Sequence, residues 1–230
     1  KGWGSNPILI TDNQSKNWLI CLAVVDGGNQ IIARQMGTGE IFYVSDAGID
    51  CADISAAAYL DNLMVIWNQF TDGGYQLFEG NFTDPSIQQI TYGYSSAIYP
   101  ALTVDAINNV PYLVYQTSNK QGYFNIYMQR KVKGEWTSPI LISDTPGNNW
   151  RPSITVCSDD KLVVAWDGYA SGSYDIYLRF IDYEMSLRPT MRLTSDNLFH
   201  AHASVSPAPD GGVWVAWNRG THNWGKDNEV

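Results

Sequence analysis

Apolar and polar residues alternate with a period of two along much of the chain, and turn residues interrupt the pattern at short intervals. The pattern is clearest over residues 150–196, WRPSITVCSDDKLVVAWDGYASGSYDIYLRFIDYEMSLRPTMRLTSD, where it predicts strands at 153–157, 162–166, 174–180 and 190–194. Residues 158–161 close a tight hairpin, 167–173 form a loop rich in Gly and Ser, and 181–189 carry the chain into the last strand. The product is an antiparallel sheet of four strands, apolar on both faces. Such a sheet cannot shield itself from water, so it must stack against others of its kind.

Weaker copies supply those others. The second strands align as LMVIWNQ (63–69), YLVYQT (112–117), LVVAWDG (162–168) and VWVAWNR (213–219), which places Trp67, Tyr115, Trp166 and Trp217 in one column expected to pack between sheets. Third strands repeat as YQLF (75–78), YFNIY (123–127) and YDIY (174–177). The first unit is shorter and leaves room for three good strands. The opening KGWGSNPILITD matches KGEWTSPILISD (133–144), so residues 1–12 are expected to supply the last strand of the blade formed by 197–230. The fold class expected is therefore all-β: a single β-propeller domain over 1–230, most simply with five blades of antiparallel four-stranded sheets, at 13–46, 47–92, 93–144, 145–196 and 197–230 plus 1–12. Pairing of the N-terminal strand with the C-terminal strands would close the ring and leave no open edge.

Composition narrows the function classes. With 230 residues, 44% of them hydrophobic and 13% aromatic, the chain can fill one all-β core. A net charge of −9 with only 14 Lys and Arg argues against nucleic acid as a partner. Cys21, Cys51 and Cys157 lack metal-ligand spacing and are expected to be small buried residues. No stretch is long and apolar enough for a spanning helix, so membrane insertion is not expected.

The strings RLTSDNLFHAHASVSPAPDGGVWVAW and SGSYDIYLR resemble TolB-type propeller repeats, in the Leu-Thr strand end, the Ser-Pro…Asp-Gly hairpin and the Gly-x-x-x-Ile-Tyr third strand. The resemblance covers 93–230 and implies a propeller without implying an activity. The ending WVAWNRGTHNWGKD resembles the propeller region that precedes a metal-dependent hydrolase-like domain in exported bacterial proteins. That resemblance implies an extracellular or periplasmic location and a partner domain beyond Val230.

Candidate chemistry lies where a propeller concentrates side chains, at the rim of its axial funnel. Aligned copies put Asp50, Tyr99, Arg151 and His202 in one column just before the innermost strand, with Trp18 or Leu19 as counterpart in the first unit. A structural column repeats its residue type, whereas this one diverges, as a ligand site does. Trp150 adds a flat apolar face beside Arg151, and sugars need an aromatic face together with hydrogen-bonding groups. A second column, Asn68, Gln116, Asp167 and Asn218, with Gln35 as first-unit counterpart, sits at strand exits, where such residues either satisfy loop backbone or touch a ligand. Arg219, in a loop with His222 and Trp224, is a candidate for binding a carboxylate.

Catalysis is tested by the carboxylate inventory, because glycoside cleavage needs two carboxyl groups about 5–10 Å apart. Glu40, Glu79, Glu135, Glu184 and Glu229 fall near outer strands, turns or the terminus, leaving Asp50, Asp53 and Asp167 as inner candidates. No Gly-x-Ser-x-Gly elbow is present, and a metal held by His200, His202 and Asp50 or Asp167 has only the alternation of the two histidines in its favour. The expectation is a non-catalytic module, without metal or cofactor, that binds a glycan or peptide. The alternatives are a glycoside hydrolase-like enzyme using funnel carboxylates, or a structural propeller domain of a larger hydrolase.

Overall fold

The computed structural model describes residues 4–83, 86–93, 95–157, 161–170 and 172–221, and every regular element among them is a β-strand. The first sheet runs β1 (Gly4–Thr11), β2 (Asn17–Val25), β3 (Gly28–Gln35), β4 (Ile41–Tyr43), and the second β5 (Cys51–Tyr59), β6 (Asn62–Thr71), β7 (Gly74–Gly80), β8 (Gln88–Gln89), each ordered as in the chain. The third contains β9 (Ala97–Asp105), β10 (Val110–Ser118), β11 (Phe124–Val132) and β12 (Glu135–Trp136), with β13 (Ile140–Leu141) also paired to β11. The fourth is β14 (Asn148–Val156), β15 (Leu162–Tyr169), β16 (Tyr174–Ile181), β17 (Met191–Arg192), and β18 (His200–Pro207) pairs with β19 (Val213–Arg219) in the last. The strand pairings of the first, second, fourth and last sheets, and those of β11 with β12 and β13, are antiparallel.

The N-terminal strand departs from expectation. β1 is the first strand of the first sheet, paired with β2 from Gly4↔Ala23 to Thr11↔Asn17, not the last strand of the final one. The first sheet thus has four strands. The similarity of KGWGSNPILITD to an outer-strand sequence was misleading because the following segment decides pairing: a turn of a few residues joins β1 to β2, and closing a short loop costs little entropy. Asp12 fastens that turn, accepting the Gln14 and Lys16 amides at 2.9 Å each and the Trp18 indole N–H at 2.8 Å.

One device recurs at the outer strands. Ser45, Thr91, Ser143 and Thr194 each accept, through the side-chain hydroxyl, a third-strand amide, those of Ile31, Leu77, Ile126 and Ile176, at 2.8–3.0 Å. The residue before each hydroxyl, Val44, Ile90, Ile142 or Leu193, donates its own amide to the carbonyl of that same third-strand residue. This is why the outer strands can be two or three residues long. A hydroxyl replaces a ladder bond, and the apolar residue beside it enters the core.

The chain divides into two compact units, 1–113 with 130–137, and 114–129 with 138–230, so strands of the third sheet fall in both. Unit 1 has a core of Trp18, Ile20, Ile31, Val44, Leu63, Val65 and Trp67, among others. A largely buried ion pair stiffens it: Lys131 Nζ lies 2.6 and 2.7 Å from the two Glu79 carboxylate oxygens, their side chains 9% and 14% exposed, and the Trp136 indole donates to Oε2 at 2.8 Å. In unit 2, Val163, Ala165, Ile176, Leu178, Ala203 and Val205 close around Cys157. Trp67, Tyr115 and Trp166 are buried, each stacked on a third-strand ring (Phe78, Tyr127, Tyr177) with centroids 6.1–6.3 Å apart. Trp217, their counterpart in the last sheet, remains 38% exposed. All three cysteines are buried thiols outside any disulfide, and burial pushes the Cys51 thiol up to about 11.

Candidate functional site

Four of the five first strands are broken at one position. The register slips between Ser5 and Ile8, Ala52 and Ser55, Trp150 and Ser153, and Ala201 and Ser204, one extra residue opposing the second strand each time. The residue on the bulge has positive φ: Asn6 (51°), Asp53 (41°), Arg151 (47°) and His202 (59°), and Tyr99 (53°) holds the matching place in β9. A left-handed conformation costs a non-glycine residue about 1–3 kcal/mol and re-aims its side chain, so the five positions form one repeated feature.

Second-strand side chains support these bulges. Gln116 Oε1 accepts the Arg151 amide at 3.1 Å, and the Asp167 carboxylate accepts the amides of His202 (2.9 Å) and Ala203 (3.3 Å). Asn68 accepts the Ala52 amide at 3.0 Å and donates to Asp53 Oδ2 at 2.9 Å. All three side chains are buried. Burial pushes the Asp167 carboxyl up, opposed by the two amides and by the nearby positive groups His202 and Arg151. Asn218 is exposed, with Nδ2 3.2 Å from His202 Nδ1.

Of the expected column, Tyr99, Arg151 and His202 hold equivalent positions in their own repeats, whereas Asp50 and Trp18 do not. Asp50 is exposed three residues before the bulge, where its carboxylate accepts the Tyr75 hydroxyl at 3.3 Å, and Asp53 takes the rim position in that sheet. Trp18 is buried in the core of unit 1, 4.4 Å from the Phe82 ring, and Asn6 takes its place. Leu22, not Gln35, stands opposite the first-sheet bulge in β2. The Trp18 and Gln35 shifts follow from placing β1 in the wrong sheet. Arg219 is exposed and paired with Asp196 at 2.9 Å, while His222 and Trp224 lie outside the described residues.

Beside Arg151 the end of unit 2 carries an aromatic surface. Trp150 stacks on Tyr174 with centroids 5.2 Å apart and planes at 24°, Tyr169 meets Tyr174 at 5.2 Å, and Phe199 meets it at 5.0 Å. Tyr169 is 42% exposed, and Trp150, Tyr174 and Phe199 are half-buried. Only Trp150 was singled out by the sequence. Tyr169 and Tyr174 bracket the loop between second and third strands, a position also held by Phe70 and Tyr75, and that repetition was the available signal.

A polar cluster lies below. The imidazole of His200 is buried, with Nε2 2.7 Å from Asp196 Oδ1, and its Nδ1 accepts the Trp217 indole N–H at 3.0 Å, which leaves the proton of the neutral ring on Nε2. The hydrogen bond from His200, then the Leu198 amide and Arg219, hold the Asp196 carboxyl well below the usual carboxylate range. A depressed acid stabilises the fold above its unfolded value, about pH 4, and that contribution is lost as pH falls toward the folded value. Asp196→Asn should therefore flatten the acid limb of the melting temperature plotted against pH between about 2 and 5. An unchanged limb would show that Asp196 carries none of it. Among the described residues, no group of three or more His, Cys, Asp and Glu side chains is arranged to hold a metal ion.

No family model matches the chain, and no curated protein matches it in sequence. Solved structures do match it in three dimensions. A putative TolB from Agrobacterium tumefaciens superposes with a TM-score of 0.60 at 15% identity, over 91% of this chain and 72% of that one. The endo-arabinase of Bacteroides thetaiotaomicron gives 0.57 at 16% identity over 92% and 87%, and a thermostable family-43 glycoside hydrolase gives 0.57 at 13% over 95% and 84%. The fold is a β-propeller. At these identities the likeness extends to architecture alone, with five antiparallel sheets repeated along the chain.

Proposed function

We propose that this propeller is a glycan-binding module of an exported protein, and that its ligand lies on the aromatic surface of unit 2 next to Arg151 and His202. The carrying observation is the Trp150–Tyr174–Tyr169–Phe199 cluster. Exposed aromatic faces cover the C–H side of a sugar ring while adjacent donors bind its hydroxyls. Two of the fold neighbours are named as carbohydrate-active enzymes, which agrees with the ligand class. The reading is non-catalytic because both Asp167 oxygens already accept backbone amides and the carboxylate is buried.

Affinity electrophoresis in arabinan, xylan and polygalacturonate, compared with a polysaccharide-free gel, tests the proposal. Retardation is expected in at least one polymer, and Tyr169→Ala should weaken it about tenfold, the scale of one aromatic contact, at unchanged melting temperature. No retardation in a wider set of polysaccharides would overturn it. Turnover of aryl glycosides that disappears in Asp50→Asn would instead support the hydrolase-like alternative.

A further inference from the structure

Unit 1 repeats the aromatic pair of unit 2 in the same register. Phe70 stands opposite Tyr75 across β6 and β7, as Tyr169 stands opposite Tyr174 across β15 and β16. The centroids are 5.3 and 5.2 Å apart, with planes at 73° and 61°. Phe70 is 56% exposed, more than its counterpart, and leaving apolar area in water forgoes about 25 cal/mol per Å² that burial would recover. A cross-strand pair helps to hold a hairpin, but a hairpin needs no exposed ring for that purpose.

The polar groups beside the two pairs differ in sign. Unit 2 carries the cationic Arg151 next in sequence to Trp150, whereas the Tyr75 hydroxyl in unit 1 donates to the exposed Asp50 carboxylate at 3.3 Å. Burial raises the Tyr75 phenol, and the negative charges of Asp50 and Asp53 add to that, which keeps the hydroxyl a donor across the ordinary pH range. The second oxygen of a carboxylate oriented in this way can accept hydroxyl groups of a sugar and repels an anionic one.

We propose a second, independent glycan subsite in unit 1, formed by Phe70, Tyr75 and Asp50, that takes a neutral sugar ring with its apolar face on Phe70 and its hydroxyls on Asp50. The inference rests on the reading of the unit 2 aromatics as sugar-binding, and it adds a second site with a different charge preference. A chain with two subsites holds a polymer more tightly than either alone.

Titration calorimetry of the full chain with short arabino-, xylo- and cello-oligosaccharides, repeated on Phe70→Ala, Tyr169→Ala and Asp50→Asn, separates the outcomes. The expected result is two sites per chain, one surviving in each aromatic variant, with Asp50→Asn weakening about tenfold the site that Phe70→Ala removes. One site that is lost in Tyr169→Ala and indifferent to Phe70→Ala and Asp50→Asn would reject the second subsite and leave the glycan-binding reading standing. Two sites that both ignore these unit 1 changes would reject it equally. Absence of binding to any oligosaccharide, together with no retardation in polysaccharide gels, would overturn both. Asp50→Asn keeps its volume at an exposed position, so it decides the matter even if Phe70→Ala proves unstable.

Discussion

Trp166→Ala should lower stability by about 3–5 kcal/mol, the range for removing a large buried aromatic side chain. The indole is fully buried, stacks on Tyr177 with centroids 6.1 Å apart, and donates from Nε1 to Asn149 Oδ1 at 2.8 Å. Truncation opens a cavity and also removes one of the two donors to the buried Asn149 Oδ1, the other being the Thr145 hydroxyl. Trp166→Phe separates the two terms, since it keeps much of the volume and loses only the hydrogen bond, at about 1 kcal/mol. Urea denaturation followed by far-ultraviolet circular dichroism measures both. A loss below about 1 kcal/mol for the alanine variant would mean that the sheets do not depend on this column.

Glu79→Ala should cost about 3 kcal/mol, toward the lower end for breaking a buried ion pair because some solvent reaches it. The carboxylate engages Lys131 through both oxygens and Trp136 through one, and the side chains of Lys131 and Glu79 are 9% and 14% exposed. Removing it strands an ammonium group in the interior of unit 1. The double change Glu79→Leu with Lys131→Met removes both charges at similar volume and should recover most of the loss. If the single and double variants are equally unstable, packing by the aliphatic part of Glu79, not charge, holds this place.

The fold class was legible because its signal is local and repeated. Second strands such as LVVAWDG must be apolar on both faces to lie between other strands, and this leaves a run that survives divergence. The Thr194 and Ser143 positions were visible as strand ends, although not as the hydroxyls that hold third-strand amides. The N-terminal strand was misplaced because PILIT reads equally well as an inner or an outer strand. Its partner is set by a turn that Asp12 fastens, and side-chain bonds to backbone leave no trace in apolar periodicity. The rim was half legible for the same kind of reason. Asp50 was chosen over Asp53 because a bulge leaves no mark on composition or on apolar alternation. Tyr169 and Tyr174 were missed because each reads as an ordinary strand aromatic until β15 and β16 are seen to bring them together.

The bulge has a consequence for how such a protein changes over time. Its left-handed backbone is held from outside, by Gln116 for Arg151 and by Asp167 for His202, through main-chain amides. At Asp53 the bulge side chain joins that hold by accepting Asn68 Nδ2 at 2.9 Å, yet five chemically unrelated residues, Asn6, Asp53, Tyr99, Arg151 and His202, occupy the same place. Folding thus constrains the supporting residue and leaves the presented one open. Random substitution at the five bulges should give variants that remain soluble but differ in what they bind, whereas the same library at Asn68, Gln116 and Asp167 should consist mainly of unfolded chains. The repeat behaves as a holder with interchangeable tips, and new specificities are reachable from it one residue at a time.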